Sequence, residues 1–132
     1  MNVADENAEI VRRSYRALNE ADFGALTRFF DEKASWHTPG RSAIAGHYRG
    51  RDLVLAQLAR YDKETLGTFT VALQDVLASD DGRVVGLHLS SAARNGRRLE
   101  AGCCVAFQIK NGRIVSGREH IFDLYDWDAF WS

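Results

Sequence analysis

Two Asn-Gly dipeptides, Asn95-Gly96 and Asn111-Gly112, sit between long runs of alternating apolar and polar residues, and they constrain the fold more than any other feature. Asn-Gly supplies the two consecutive positive-φ residues of a type I′ turn, whose twist matches that of flanking antiparallel strands. From Thr68 onward the side-chain period is two, which predicts strands near residues 68–78, 83–94, 97–110 and 113–123, with Asp80-Asp81-Gly82 at the remaining break. The second half of the chain therefore reads as an antiparallel meander. A type I′ turn at Asn95-Gly96 pairs Arg94 with Arg97, and hence His88 with Cys103, Gly86 with Val105 and Val84 with Phe107. One face then carries Val84, His88, Cys103, Val105, Phe107 and Ile109. The other carries Val85, Leu87, Leu89, Cys104 and Ala106 and is also apolar, so both sides of the sheet are expected to be covered.

The closing strand, Gly112 to Asp123, holds an ionisable residue on each face, and its register decides which chemistry is possible. A two-residue type I′ turn at Asn111-Gly112 pairs Cys103 with His120 and turns Ser116, Arg118 and His120 toward Phe107. A three-residue turn, with Gly112 left-handed in a G1 bulge, pairs Cys103 with Glu119 and turns Gly117, Glu119 and Ile121 inward. A slip of one residue exchanges the faces, and the residues alone leave both registers open.

The first half has a different period. Ile10, Val11, Ser14, Tyr15, Ala17 and Leu18 form one helical face after an acidic start that suits the helix dipole. Asn19 to Asp22 interrupts it, and Asp22 caps a short second helix carrying Phe23, Leu26, Phe29 and Phe30. Trp36 to Thr38 reads as a brief strand stopped by Pro39-Gly40, and Gly46 to Gly50 leads into a third helix from about Asp52 to Tyr61. Helices followed by an antiparallel sheet make an α+β domain, and 132 residues suit a single one spanning 1–132. Seventeen basic residues are offset by eighteen acidic ones, so there is no electrostatic footprint for nucleic acid. No apolar run reaches transmembrane length and the N-terminus is polar, which points to a cytoplasmic protein without a membrane partner. Cys103 and Cys104 are adjacent in a strand, so they point to opposite faces and cannot share a metal or belong to a disulfide framework. No metal cluster, phosphate loop, dinucleotide fingerprint or serine elbow is present, and no cofactor is expected.

The segments Tyr15 to Phe23, Leu26, Phe29-Phe30, Trp36-His37-Thr38-Pro39-Gly40, Gly46-His47-Tyr48-Arg49-Gly50-Arg51-Asp52 and Asn111 to Val115 carry a resemblance in their order and spacing. In these the chain resembles the SnoaL-like branch of the nuclear-transport-factor-2-like superfamily, over nearly its whole length. The resemblance implies a cone-shaped, cystatin-like roll in which three N-terminal helices close over a strongly curved antiparallel sheet. It also implies an apolar pocket between them and dimerisation through the sheet. In that family the last hairpin usually adopts the G1-bulge register, which puts Glu119 inside.

Function has to be argued from the site, because this fold hosts several chemistries. Against the ketosteroid isomerases the chain has Ser14 at the oxyanion-hole tyrosine, Thr38 at the general-base aspartate and Val105 at the protonated aspartate. That dienol chemistry is therefore argued against. The epoxide hydrolases of the fold need an Asp-Arg-Asp set, and Ala101 and Cys103 beside Glu119 supply neither Arg nor Asp. Polyketide cyclases resembling SnoaL use a last-strand carboxylate with a histidine, roles that Glu119 and His88 would take here. In the G1-bulge register His88, Cys103 and Glu119 form one row at roughly 5 Å per strand, bracketing a ligand. Trp36, His37, Thr38, Tyr48, Cys103, Val105, Phe107 and Ile121 are the expected ligand contacts. The expected ligand is a small hydrophobic molecule, polycyclic or ketone-bearing, and the expected activity is cofactor-independent cyclisation or isomerisation. The alternative is a non-catalytic ligand-binding or association module in which Glu119 and His88 are a satisfied polar pair. Tyr48 and the tail residues Asp123, Tyr125, Trp127 and Trp131 either fold over the pocket mouth or stitch a dimer. With Val85, Leu87, Leu89, Cys104, Ala106 and Phe122 on the uncovered face, a homodimer through the sheet is expected, rimmed by Arg98, Glu100, Arg118 and His120.

Overall fold

The structure is a computed structural model describing residues 2–132. Helix α1 (Val3–Asn19) starts where the Asn2 side chain accepts a bond from the Asp5 amide, with Asp5 and Glu6 in its positive first turn. The Asn19 side chain then bonds both backbone groups of Val71, pinning the end of α1 to the sheet. Asp22 caps α2 (Phe23–Thr27), which is shorter than expected. Phe30 belongs instead to the strand β1 (Phe30–Thr38), because its ring packs edge-on against Trp36 in the core. The glycine-bracketed segment forms β2 (Gly46–Arg49) and leads into α3 (Arg51–Glu64), one turn longer than the expected third helix. Four strands follow: β3 (Thr70–Ala78), β4 (Arg83–Arg94), β5 (Arg97–Lys110) and β6 (Arg113–Ile121).

The chain ends in a helix the periodicity did not show, α4 (Leu124–Trp131). It folds onto its own β5: Trp127 and Trp131 are buried against Tyr61, Trp131 also meets Phe69, and Arg94 and Arg97 donate to its last carbonyls. Those two tryptophans are thus core residues of their own chain. The sheet is a curved, unclosed six-stranded one in the order β2-β1-β6-β5-β4-β3, with four helices on it. All neighbours are antiparallel except β1 and β6, which run parallel, so the first and last strands meet in the middle.

The β4–β5 hairpin has the expected register throughout, from Arg94 opposite Arg97 to Val84 opposite Phe107. The β5–β6 hairpin follows neither expected register. Asn111 and Gly112 have φ of 51° and 76°, and Lys110 faces Arg113, as in a two-residue type I′ turn. A bulge at Val115 then adds one residue, so Gln108 faces Ser116, Val105 faces Glu119 and Cys103 faces Ile121. The extra residue restores Gly117 and Glu119 to the inner face while moving the expected Cys103–Glu119 pairing by two positions.

Candidate functional site

Glu119 is brought to the inner face by the Val115 bulge and meets donors from two other elements. The parallel pairing of Trp36 with Gly117 aligns β1 and β6 so that Trp36 and Thr38 flank Glu119. Gly117 has no side chain where a Cβ would overlap the six-membered ring of Trp36, so the indole lies flat across β6. The Glu119 Oε2 atom then accepts three bonds: from Trp36 Nε1 at 2.9 Å, Thr38 Oγ1 at 2.7 Å and the Tyr61 hydroxyl at 2.6 Å. Gln57, one turn before Tyr61 on α3, donates to Thr38 Oγ1 and to the Ile44 carbonyl and so holds Thr38 in place. Among the described residues none bonds Oε1. Burial pushes the Glu119 carboxyl above the ordinary carboxylate value, and the bonds from Tyr61, Thr38 and Trp36 pull it part of the way back.

A second polar group faces the same space. The Tyr15 hydroxyl, from the buried face of α1, lies 2.7 Å from His88 Nδ1, and His88 Nε2 lies 3.2 Å from Ser90 Oγ. Gly86 makes this possible, because a Cβ there would sit 2.8 Å from the Tyr15 oxygen. His88 is therefore engaged at both nitrogens by neutral groups and is not partnered with Glu119.

Between the two lies a cavity whose apolar wall includes Leu26, Phe30, Leu58, Val71, Val105 and Phe107, with a free volume of about 40 Å³. Of the residues expected at the site, Glu119, His88, Trp36, Val105 and Phe107 line this space. Thr38 stands behind Glu119 as a donor. Cys103 is fully buried but lies outside the wall, with burial pushing its thiol pKa up, and Ile121 is a half-buried neighbour opposite it. His37 and Tyr48 are elsewhere: His37 follows Trp36 and so turns to the outer face, where it meets His47 edge-on, and the Tyr48 hydroxyl donates to the Ile44 carbonyl. Burial lowers the His37 pKa, and Arg118, His47 and His120 lower it further. Tyr61 and the polar role of Tyr15 were not expected. A glutamine on the core-facing side of α3, one turn before Tyr61, was the available signal for the first. No group of three His, Cys, Asp or Glu among the described residues could hold a metal ion. No helix among them is long and apolar enough to cross a membrane.

The two buried groups act oppositely on stability. Burial lowers the His88 pKa from 6.5 to about 4, so below pH 6.5 the unfolded chain takes up a proton that the folded ring refuses. His88 therefore contributes stability at pH 7 that is lost as the pH falls through this window, in total about 3 kcal/mol. Glu119, raised above 4.5, keeps its proton longer in the folded state, so its contribution is lost as the pH rises. In a Glu119→Gln background the opposing contribution of Glu119 is removed. Urea midpoints at pH 7 and pH 4 should fall further in Glu119→Gln than in Glu119→Gln/His88→Gln, the loss that remains in the double variant belonging to His37 and Asp81, whose pKa values are also lowered.

The SnoaL-like domain family matches residues 11–117, and the chain belongs to this family. An uncharacterized protein of Mycobacterium tuberculosis is 33% identical over 128 residues, covering 97% of this chain and 98% of that protein. Among solved structures, Bal32a from a soil-derived mobile gene cassette is 57% identical with a TM-score of 0.98, covering 99% of this chain and all (100%) of Bal32a. A protein of unknown function with a cystatin-like fold from Xanthomonas campestris is 28% identical, with a TM-score of 0.89 over 100% of this chain and 99% of that one.

Proposed function

We propose that the protein binds a small apolar molecule bearing a carbonyl group in the cavity, and that Glu119 acts on it as an acid–base group without a cofactor. The observation that carries this reading is the division of labour within one carboxyl group: three donors fix Oε2, while Oε1 is left without a protein partner beside an apolar cavity. A carboxyl oriented in this way can take a proton from a carbon next to a carbonyl at Oε1 and return it at another carbon, as isomerase and cyclase chemistry requires. Family membership supports the same class. With about 40 Å³ free, the cavity as it stands suits ligands of a few non-hydrogen atoms, and a polycyclic one requires its helices to part. The reading is tested by incubating the protein with acetone in D2O and following loss of the methyl proton signal. Exchange above that given by Glu119→Gln supports catalysis, and equal rates refute it.

The non-catalytic reading rests on a specific observation too: His88, expected as the second proton-transfer group, has both nitrogens occupied. If acetone binds without exchanging, ligand binding alone is the function.

We further propose a homodimer through the outer face of the sheet. Leu77, Leu89 and Phe122 are 56%, 43% and 68% exposed there, beside half-buried Val85, Leu87, Cys104 and Ala106, and no helix among the described residues crosses that face. Phe122 lies flat over Gly102, which leaves a shallow apolar strip for a second copy. Light scattering at micromolar concentration should give a dimer for the wild type and a monomer or aggregate for Leu87→Glu/Leu89→Lys. A stable wild-type monomer would refute it.

A further inference from the structure

The outer face of the sheet divides by charge along its rows. One row crosses from the β2 edge to the β3 edge as His47, His37, Arg118, Ala106, Val85 and Leu77, each residue standing opposite the next in the strand register. The neighbouring row runs His120, Cys104, Leu87 and Asp75. Histidines and an arginine therefore gather on one half of the face, and the apolar residues of the proposed dimer contact occupy the other. We propose, on the reading of this face as a dimer contact, that the cluster makes the homodimer pH-dependent: intact at neutral pH, and separating into single chains as the histidines take up protons below about pH 6.5.

The register leaves the cluster no way out of such a contact. Adjacent strands lie about 4.8 Å apart, so Arg118 stands directly beside Ala106 and His120 beside Cys104, and a second copy that covers the apolar half reaches both. Two identical faces packed about a twofold axis have two limiting orientations. With the axis along the strands the order of each row is reversed, and each cluster lies over the partner's apolar half. With the axis across the strands the order is kept, and cluster lies over cluster. An apolar cover disfavours an imidazolium by desolvation and a second cluster disfavours it by repulsion, so both orientations hold the histidines neutral. Asp75, on the far edge strand, is the single acid in the two rows, and it stands against Arg118 as well as His37, His47 and His120.

The same asymmetry already acts within one chain. His37 faces His47 from β2 and Arg118 from β6, with His120 two residues beyond Arg118, and Arg49 adds another cation on the same side of β2. Burial lowers the His37 pKa, and the charged groups that lower it further, Arg118, His47 and His120, are all bases. Its Nδ1 atom is sealed from solvent without a hydrogen-bond partner among the described residues, so a proton added there finds no acceptor. The chain as a whole carries a net charge of only −1 at pH 7, so the effect is local to this half of the face. The sign follows from linkage: the single chain accepts protons that the dimer excludes, so acid drives dissociation. One histidine per copy, ionising near pH 6.5 when free and held neutral in the dimer, weakens dimerisation roughly 100-fold between pH 7.5 and pH 5.5, about tenfold from each copy.

Sedimentation equilibrium of the whole chain at pH 7.5 and pH 5.5 reads the dimer Kd at each. The wild type should dimerise at pH 7.5 and bind roughly 100-fold more weakly at pH 5.5. At least one of His37→Gln, His47→Gln and His120→Gln should remain a dimer at pH 7.5 while its Kd changes by about tenfold or less over the same interval. Dissociation caused by acid unfolding of the chain would persist in all three variants. If none of them flattens the dependence, or if the wild-type Kd is unchanged or tighter at pH 5.5, the histidine cluster does not govern the dimer and the dimer reading stands without it. If the wild type is a monomer at pH 7.5, the dimer reading fails and the pH dependence falls with it.

Discussion

Glu119→Gln is expected to remove acid–base turnover while leaving the fold intact. A positioned general acid or base contributes roughly 10²–10⁴-fold, so exchange of a ketone substrate should fall by at least about 100-fold. Stability should move little, within about 1 kcal/mol, because the glutamine carbonyl can take over the position of Oε2 and accept from Tyr61 and Thr38, while the desolvation cost of any buried charge disappears. Glu119→Ala is the informative contrast. It strands the Trp36 N–H and the Thr38 and Tyr61 hydroxyls in a buried site, and each lost partner costs about 1–3 kcal/mol. Urea denaturation should therefore separate the two variants by several kcal/mol, about 3 or more. If glutamine were as damaging as alanine, the carboxyl would be a structural element and its catalytic role would be lost with it.

The second large effect is expected at Gly117. Any side chain there would overlap the Cζ3 and Cε3 atoms of Trp36, whose ring is itself confined edge-on between Phe30 and Phe107. Gly117→Val should destabilise by about 3 kcal/mol through overpacking and lower the melting temperature by about 10 °C. The same displacement pulls the indole N–H away from Glu119, so the Trp36 side-chain resonance should shift and the Glu119 carboxyl should lose one of the bonds that lower its pKa. A Gly117→Val protein with wild-type stability and an unmoved Trp36 resonance would show that the indole does not depend on this close approach.

What was legible in the sequence follows the distance along the chain over which each feature is decided. The Asn95-Gly96 hairpin was readable pair by pair, because a two-residue turn with both φ values positive sets its own register and the alternation carries it outward. The same logic failed at Asn111-Gly112, where the turn is of the same type but Val115 bulges. That bulge sits where β6 must also pair in parallel with β1, joining Phe30 to Ile114 and Trp36 to Gly117 across more than eighty positions of sequence. No local pattern encodes such a pairing, so the inward side of Glu119 could be taken only from a resemblance. The helix α4 was hidden for a related reason: its Trp127, Phe130 and Trp131 are buried by contact with β5, α3 and Phe69, not by a long amphipathic repeat of its own.

The sequence by itself determined the α+β class, the meander, the apolar character of both sheet faces and the placing of His88, Cys103, Val105 and Phe107 on one of them, since period, turn chemistry and hairpin register are short-range properties. Tertiary structure alone decided that Glu119 meets Trp36, Thr38 and Tyr61 instead of His88, and that His88 belongs to Tyr15 and Ser90. Apart from Ser90, which follows two residues after His88 on the same strand, those partners come from α1, α3 and the first strand. A side-chain hydrogen bond is fixed by where packing brings two elements within about 3 Å of each other, which depends on every layer of the core at once.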